Sequence, residues 1–146
     1  MKKNQKKNSS ELYAVIGLGR FGMALARELA AKGKSLLVID YDREKINEVL
    51  EFTDNAFVIN SLTIDALEET GIGEADVAVV CIGEKIDISI LATLNLMKLG
   101  VKRVISKAMS EEQGEVLKLL GAEVVYPEHD MALRLASKLV SPHILE

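Results

Sequence analysis

Cysteine, tryptophan and proline are scarce in this chain of 146 residues, which has one cysteine, two prolines and no tryptophan. A single cysteine excludes a disulfide within the chain, and Cys81 ends a strongly apolar segment, where a buried thiol in a reducing compartment is expected. No apolar run reaches the roughly 18 residues that a membrane helix requires, so insertion into a bilayer is not expected. These absences indicate one cytoplasmic domain with a substantial core.

Positive charge is scarce outside the first residues. Residues 1–10 contain four of the 18 lysines and arginines and none of the 22 acidic residues, which leaves 14 positive against 22 negative side chains, or −8, for the remainder. Such a charge argues against a nucleic-acid partner. The basic segment precedes no apolar signal sequence, so we expect residues 1–10 to be a disordered tail and the domain to span residues 11–140.

Short apolar runs alternate with helical patterns along the chain. The alternation predicts an α/β fold with a Rossmann-like, doubly wound, six-stranded parallel sheet in the order 3-2-1-4-5-6, closed by a C-terminal crossover helix. The predicted strands are 13–16, 36–39, 56–59, 77–82, 103–106 and 123–126. The predicted helices are 20–32, 43–51, 63–70, 86–99, 111–120 and 130–140.

A glycine motif joins the first strand to the first helix. Gly17 suits a tight turn, Gly19 allows close approach of a phosphate, and Gly22 lets the helix pack on the strand. The helix that begins at about Arg20 presents free N–H groups and the positive end of its dipole to an anion. The motif therefore predicts a nucleotide site.

An acidic residue is expected about 20 positions further, at the end of the second strand, to bind a ribose. Asp40 ends the apolar run 36–39 and meets this expectation. Its charge would repel a 2′-phosphate, which disfavours NADP although Arg43 is close in sequence. Asp42 is better explained as the cap of the helix that begins at Arg43.

Two predicted helices carry apolar residues on more than one face. The helix 86–99 has eight such residues, and the helix 130–140 has five. One sheet cannot cover all of them, so we expect a second copy of the chain to cover the remainder. The alternative is that one helix is well buried within the monomer.

With these residues in view, the chain resembles the TrkA-N-like nucleotide-binding lobe of RCK (KTN) domains, specifically the KtrA-type regulators of Ktr and Trk potassium uptake. Its glycine loop reads GLGRFG. The most discriminating block is LGAEVVYPEHDM at residues 120–131, before the last helix. The resemblance also covers the segments that end in Asp40 and Gly83, the segment 60–62 and the segment 105–108.

The resemblance implies a set of ligand-binding residues. It places the phosphates on Gly17, Gly19 and Gly22 and the ribose on Asp40, and it lets Arg20 reach the terminal phosphate of a nucleotide in a neighbouring subunit. A solvated arginine at a helix start is the alternative for Arg20. The other predicted contacts are Phe21, Tyr41, Asn60 beside the adenine, Ser61, Gly83 and Lys107; ordinary turn chemistry is an equal explanation for Asn60 and Gly83.

The resemblance also implies a divalent cation. Glu128, expected at the end of strand six, would help to hold Mg²⁺ or Ca²⁺ near the phosphates, and Lys107 would pair with it when no cation is bound. Hard oxygen ligands favour these ions over zinc, and His129 alone makes no transition-metal site. A surface salt bridge is the alternative.

The function implied is that of a cytosolic nucleotide sensor. It would gate a membrane potassium-translocating subunit, at the inner face of the cell membrane, through ATP- and ADP-dependent changes in a homodimer that assembles into a ring, an octamer when full length. Residues 141–146 are expected to begin a hinge to a second lobe. One alternative is an NAD(H)-binding regulator. An NAD-dependent oxidoreductase is disfavoured, because no proton-transfer group or substrate site is evident, so no enzyme is expected.

Overall fold

Residues 11–141 are described by the computed structural model as a parallel sheet of six strands with helices on both faces. The strand order β3-β2-β1-β4-β5-β6 confirms the predicted doubly wound topology. The strands are β1 (Leu12–Ile16), β2 (Ser35–Asp40), β3 (Asn55–Val58), β4 (Val77–Val80), β5 (Arg103–Lys107) and β6 (Glu123–Val125). The helices are α1 (Arg20–Ala31), α2 (Arg43–Val49), α3 (Ile64–Glu69), α4 (Ile86–Lys98), α5 (Glu111–Leu119) and α6 (Pro127–Val140), with a short 3₁₀ turn at Ile72–Glu74.

The core consists of two apolar layers, one on each face of the sheet. Alternate residues of a strand point to opposite faces, so Ala14 and Ile16 of β1 enter one layer and Val15 enters the other. The first layer includes Leu96 of α4, and the second includes Ala26 of α1. Both faces of the central strands are therefore buried, as expected for a parallel sheet.

The start of the last helix differs from the prediction. Helix α6 begins at Pro127, three residues before the predicted start, and β6 ends at Val125. Proline is favoured in the first turn of a helix because its fixed φ suits that position and its missing N–H has no partner there. Glu128 therefore lies in the first turn of α6, and its predicted position at the end of strand six was wrong.

The two helices with excess apolar residues differ in burial. Most of the apolar surface of α4 is covered within the chain, where Ala92 and Leu96 are fully buried, although Ile86 and Leu91 stay about half exposed. The alternative interpretation is thus correct for much of α4. In contrast, α6 has no buried residue, and the exposed apolar side chains on it are Met131, Leu133, Leu135, Leu139 and Val140.

Four expectations concern other parts of the chain. The proposed tail 1–10 and residues 142–146 of the proposed hinge lie outside the described residues. Strand β4 ends at Val80, two residues earlier than predicted. Within the range 11–141, no helix has the combination of length and apolar character needed to cross a membrane.

Candidate nucleotide-binding site

The glycines between β1 and α1 sit in three different surroundings. Gly17 has a left-handed φ of 99°, and a Cβ added there would lie 3.1 Å from the backbone carbonyl of Cys81. A Cβ on Gly22 would lie 1.8 Å from the carbonyl oxygen of Gly17, so α1 packs directly on the turn. A Cβ on Gly19 would meet no atom within 4 Å. Packing within the chain thus requires Gly17 and Gly22, whereas the space beside Gly19 is open to a ligand.

The start of α1 offers unused hydrogen-bond donors. Gly19 is the N-cap residue and supplies no side-chain cap. Within residues 11–141, no acceptor is bonded to the backbone N–H groups of Arg20, Phe21 and Gly22. Such groups, together with the positive end of the helix dipole, form a favourable place for a phosphate.

The Asp40 carboxylate fixes the glycine turn in place. One oxygen, Oδ2, accepts the N–H of Leu18 at 2.6 Å, and the other, Oδ1, accepts the N–H of Asp42 at 2.7 Å. Asp40 is only 7% exposed. A carboxylate can accept about four hydrogen bonds, so acceptor capacity is left for the ribose contact that was predicted. The prediction for Asp42 is confirmed, since its Oδ1 accepts the N–H of Glu44 at 2.9 Å and caps α2.

Three other predicted residues lie around the ammonium group of Lys107, at the end of β5. Its Nζ lies 5.6 Å from the centre of the Phe21 ring and 3.7 Å from Oε2 of Glu128. A Cβ on Gly83 would be 3.6 Å from the same nitrogen. The Lys107 side chain is 11% exposed, whereas that of Glu128 is 66% exposed. The mostly buried ammonium group of Lys107 therefore lies beside the glycine turn, and the exposed carboxylate of Glu128 is close enough to pair with it.

The protein supplies few ligands for a cation at Glu128. No group of three or more histidine, cysteine, aspartate or glutamate side chains is arranged to hold a metal ion in the described part of the chain. A cation bound by Glu128 would take its other ligands from phosphate oxygens, water or a second copy of the chain, which suits Mg²⁺. His129 faces its neighbour Asp130, with Nδ1 and Oδ1 3.6 Å apart.

Cys81 lies beneath the glycine turn and is 5% exposed. Burial raises the pKa of its thiol to about 12, and the smaller effect of the nearby Lys107 ammonium acts in the opposite direction. The residue is thus an uncharged packing group, as predicted, and its Cβ would lie 3.2 Å from a Cβ on Gly22.

The remaining predicted residues surround the outer end of the same sheet edge. Tyr41 follows β2 and is 67% exposed, and the Lys85 ammonium lies 5.6 Å from the centre of its ring. Asn60 and Ser61 follow β3 and line, with Arg43, part of an open cleft of about 590 Å³. Their ligand contacts, like those of the glycine turn, stay predictions.

Two basic residues face solvent near this edge. Arg20 is exposed at the first position of α1, and no ion pair involves it in the range 11–141. Lys85, at the N-cap of α4, was not identified from the sequence. The available signal was a lysine between the fourth strand and its helix, where the carboxyl ends of the strands bind ligands.

Comparison with known proteins gives a consistent family. Residues 13–127 match the TrkA-N domain. The chain is 38% identical over 135 residues to "Ktr system potassium uptake protein C" of Bacillus subtilis, covering 92% of this chain and 61% of that protein. It is 36% identical over 141 residues to "Ktr system potassium uptake protein A" of Vibrio alginolyticus, covering 96% and 64%. The chain thus spans less than two thirds of the length of these relatives.

Solved structures share the fold. The TrkA-N domain of the inner membrane protein ybaL from Escherichia coli has a TM-score of 0.80 at 20% identity and covers 89% of this chain and 97% of that one. GsuK bound to ADP has a TM-score of 0.71 at 28% identity, covering 90% and 34%. The GsuK channel bound to NAD has a TM-score of 0.68 at 16% identity, covering 81% and 22%.

Proposed function

Because the chain belongs to the TrkA-N domain family, we propose that it is a nucleotide-sensing module that regulates potassium transport across a membrane. The observation that carries the proposal is the set of N–H groups at the start of α1 that bond to no acceptor within residues 11–141, beside the open space at Gly19. The two relatives described above are named as potassium uptake proteins, which supports a regulatory role over an enzymatic one.

The proposed ligands are ATP and ADP. Arg20 is exposed beside the phosphate site and would contact a terminal phosphate, directly or in a second copy of the chain. Lys107 and Glu128 would respond to the charge of the phosphates and to a bound Mg²⁺ or Ca²⁺. ATP differs from ADP in the group that these residues would bind, so the two nucleotides can favour different conformations, as a switch requires.

The proposed assembly is a homodimer formed through α6. Five apolar side chains on this helix are about half exposed or more, and none of its residues is buried. A second copy would cover them by a symmetric contact. In the longer protein, such dimers would form a ring, an octamer, against a potassium-translocating membrane subunit on the cytoplasmic side. Nucleotide exchange would change the shape of the ring and so gate transport.

NAD(H) is the second candidate ligand, because a GsuK channel with the same fold has been solved bound to NAD. Asp40 could bind the ribose of either nucleotide. The exposed guanidinium of Arg20 and the Lys107–Glu128 pair favour ATP and ADP in this proposal, since their charges would suit a terminal phosphate and a bound cation.

Replacing Arg20 by alanine tests the proposed preference. We expect the affinity for ATP to fall about tenfold or more, because a hydrogen bond between charged groups contributes about 1.5–3 kcal/mol. The affinity for ADP should change much less. The matched control is Arg27→Ala on the same helix, whose guanidinium pairs with Glu48 at an exposed site. Equal losses for ATP and ADP in isothermal titration calorimetry would contradict the proposed role of Arg20.

A further inference from the structure

A chain of buried polar side chains connects α4, β5 and α5 behind the candidate site. Its members are at most 2% exposed, and every one is hydrogen-bonded. They are Ser89, Thr93, Ser106 and Gln113. Apolar residues would fill the same space without the cost of burying polar groups, so the arrangement indicates a need for defined geometry.

One end of this polar chain holds the end of β5. The hydroxyl of Thr93 donates to the carbonyl oxygen of Ser89 at 2.8 Å. It also lies 2.7 Å from the hydroxyl of Ser106. A hydroxyl has one proton to donate, so Ser106 is the donor in this second contact. Ser106, next to Lys107, is thereby attached to α4.

The other end holds the loop that follows β5. Oε1 of Gln113 accepts the backbone N–H of Met109 at 2.8 Å. Nε2 of the same amide donates to the hydroxyl of Ser89 at 3.3 Å. A backbone N–H requires an oxygen as its partner, which fixes the orientation of the amide. Met109 is thus attached to the same helix α4 through Gln113.

Lys107 lies between these two attachments. Its ammonium group and the sulfur of Met109 would both be 3.6 Å from a Cβ on Gly83, so a small movement of this segment changes the space beside Gly83. We propose that Gln113 is a positioning residue that holds residues 106–109 so that Lys107 faces Phe21 and Glu128. The consequence for nucleotide binding rests on the function proposed above.

The test combines two substitutions with a control. Gln113→Met removes both amide hydrogen bonds and keeps a side chain of similar length. Thr53→Val is the matched control, because it also removes two hydrogen bonds, at a position just before β3 in the chain and away from Lys107. The Thr53 hydroxyl donates to the carbonyl oxygen of Leu36 at 2.7 Å and accepts the N–H of Asn55 at 3.2 Å. The nucleotide affinity is measured for each variant with and without Lys107→Met, and the ¹³Cε resonance of Lys107 is recorded without nucleotide. Thermal melts verify that each variant is folded.

We expect Gln113→Met to shift the Lys107 resonance and to lower the ATP affinity about fivefold. When Lys107 is already methionine, Gln113→Met should have little effect on the ATP affinity. Thr53→Val should change neither the resonance nor the affinity. An unchanged Lys107 resonance in folded Gln113→Met, or the same affinity loss in both backgrounds, would overturn the positioning role. A shifted resonance with an ATP affinity that is insensitive to Lys107→Met would support the positioning and count against the proposed function.

Discussion

Gly19 and Gly22 can be separated experimentally by replacing each with alanine. Both belong to the same turn, but a Cβ on Gly22 would lie 1.8 Å from the carbonyl oxygen of Gly17, whereas one on Gly19 would touch nothing. Gly22→Ala should therefore weaken the fold, and Gly19→Ala should weaken nucleotide binding alone. The pair distinguishes a packing requirement from a ligand requirement.

The expected magnitudes follow from these contacts. At Gly22 the backbone must move, which costs about 1–3 kcal/mol, less a gain of up to about 1 kcal/mol from the helix preference of alanine. The melting temperature should fall by several degrees. At Gly19, φ is −69° and ψ is −166°, a conformation open to alanine, so the free energy of unfolding should change by less than about 0.5 kcal/mol. The added methyl group would occupy the space of a phosphate, so we expect at least a tenfold loss of affinity, roughly 1.4 kcal/mol.

Chemical denaturation and calorimetric titration with ATP and ADP provide the two measurements. Wild-type affinity in Gly19→Ala would refute the placement of phosphates beside this residue. Unchanged stability in Gly22→Ala would refute the explanation of the close packing between α1 and the turn.

Two other predictions concern stability and assembly. The pKa of Asp76 is lowered mainly by the N–H of Leu12 and then by Lys102, so its charged form stabilises the fold above the ordinary pKa of 3.8, and this contribution is lost as the pH falls through the lowered value. Asp76→Asn should thus have a lower melting temperature than the wild type at pH 7, and this difference should shrink below pH 4. An equal difference in melting temperature at both pH values would contradict the assignment. In sedimentation at tens of micromolar, Leu135→Asp on α6 should weaken the dimer about a hundredfold or more, because a symmetric contact would bury Leu135 of both copies. The control Leu50→Asp, at the other edge of the sheet, should not weaken it. A wild-type chain that sediments as a monomer would refute the dimer.

The sheet could be predicted from the sequence because apolar strands and helical patterns alternate without interruption. The signals are local: β-formers precede Gly17, and Asp40 directly follows an apolar run. The capping role of Asp42 was equally readable, since its carboxylate and the Glu44 N–H that donates to it are only two residues apart. Periodicity placed α6 too late, because the polar residues that follow Pro127 carry no apolar repeat, although the proline itself marks the first turn.

The contacts of the site could not be read from local patterns. The bond from Leu18 to Asp40 joins residues 22 positions apart, and it fixes the glycine turn before any ligand is bound. The position of Lys107 depends on polar side chains of α4 and α5, such as Thr93, that occupy buried positions where the pattern predicts apolar residues. Its approach to Phe21 depends on the packing of α1 across the sheet. These contacts require the assembled fold.

Direct binding isotherms for ATP, ADP, NAD⁺ and NADH, each with and without Mg²⁺ at one salt concentration, test the proposed nucleotide sensor. We expect saturable binding of ATP and ADP that is tighter than that of NAD⁺ or NADH, an effect of Mg²⁺ on ATP that is lost in Glu128→Gln, and weakened binding in Gly19→Ala. Tighter binding of NAD⁺ or NADH would contradict the proposed ligands. No saturable binding of any of the four at millimolar concentration would contradict the nucleotide site itself.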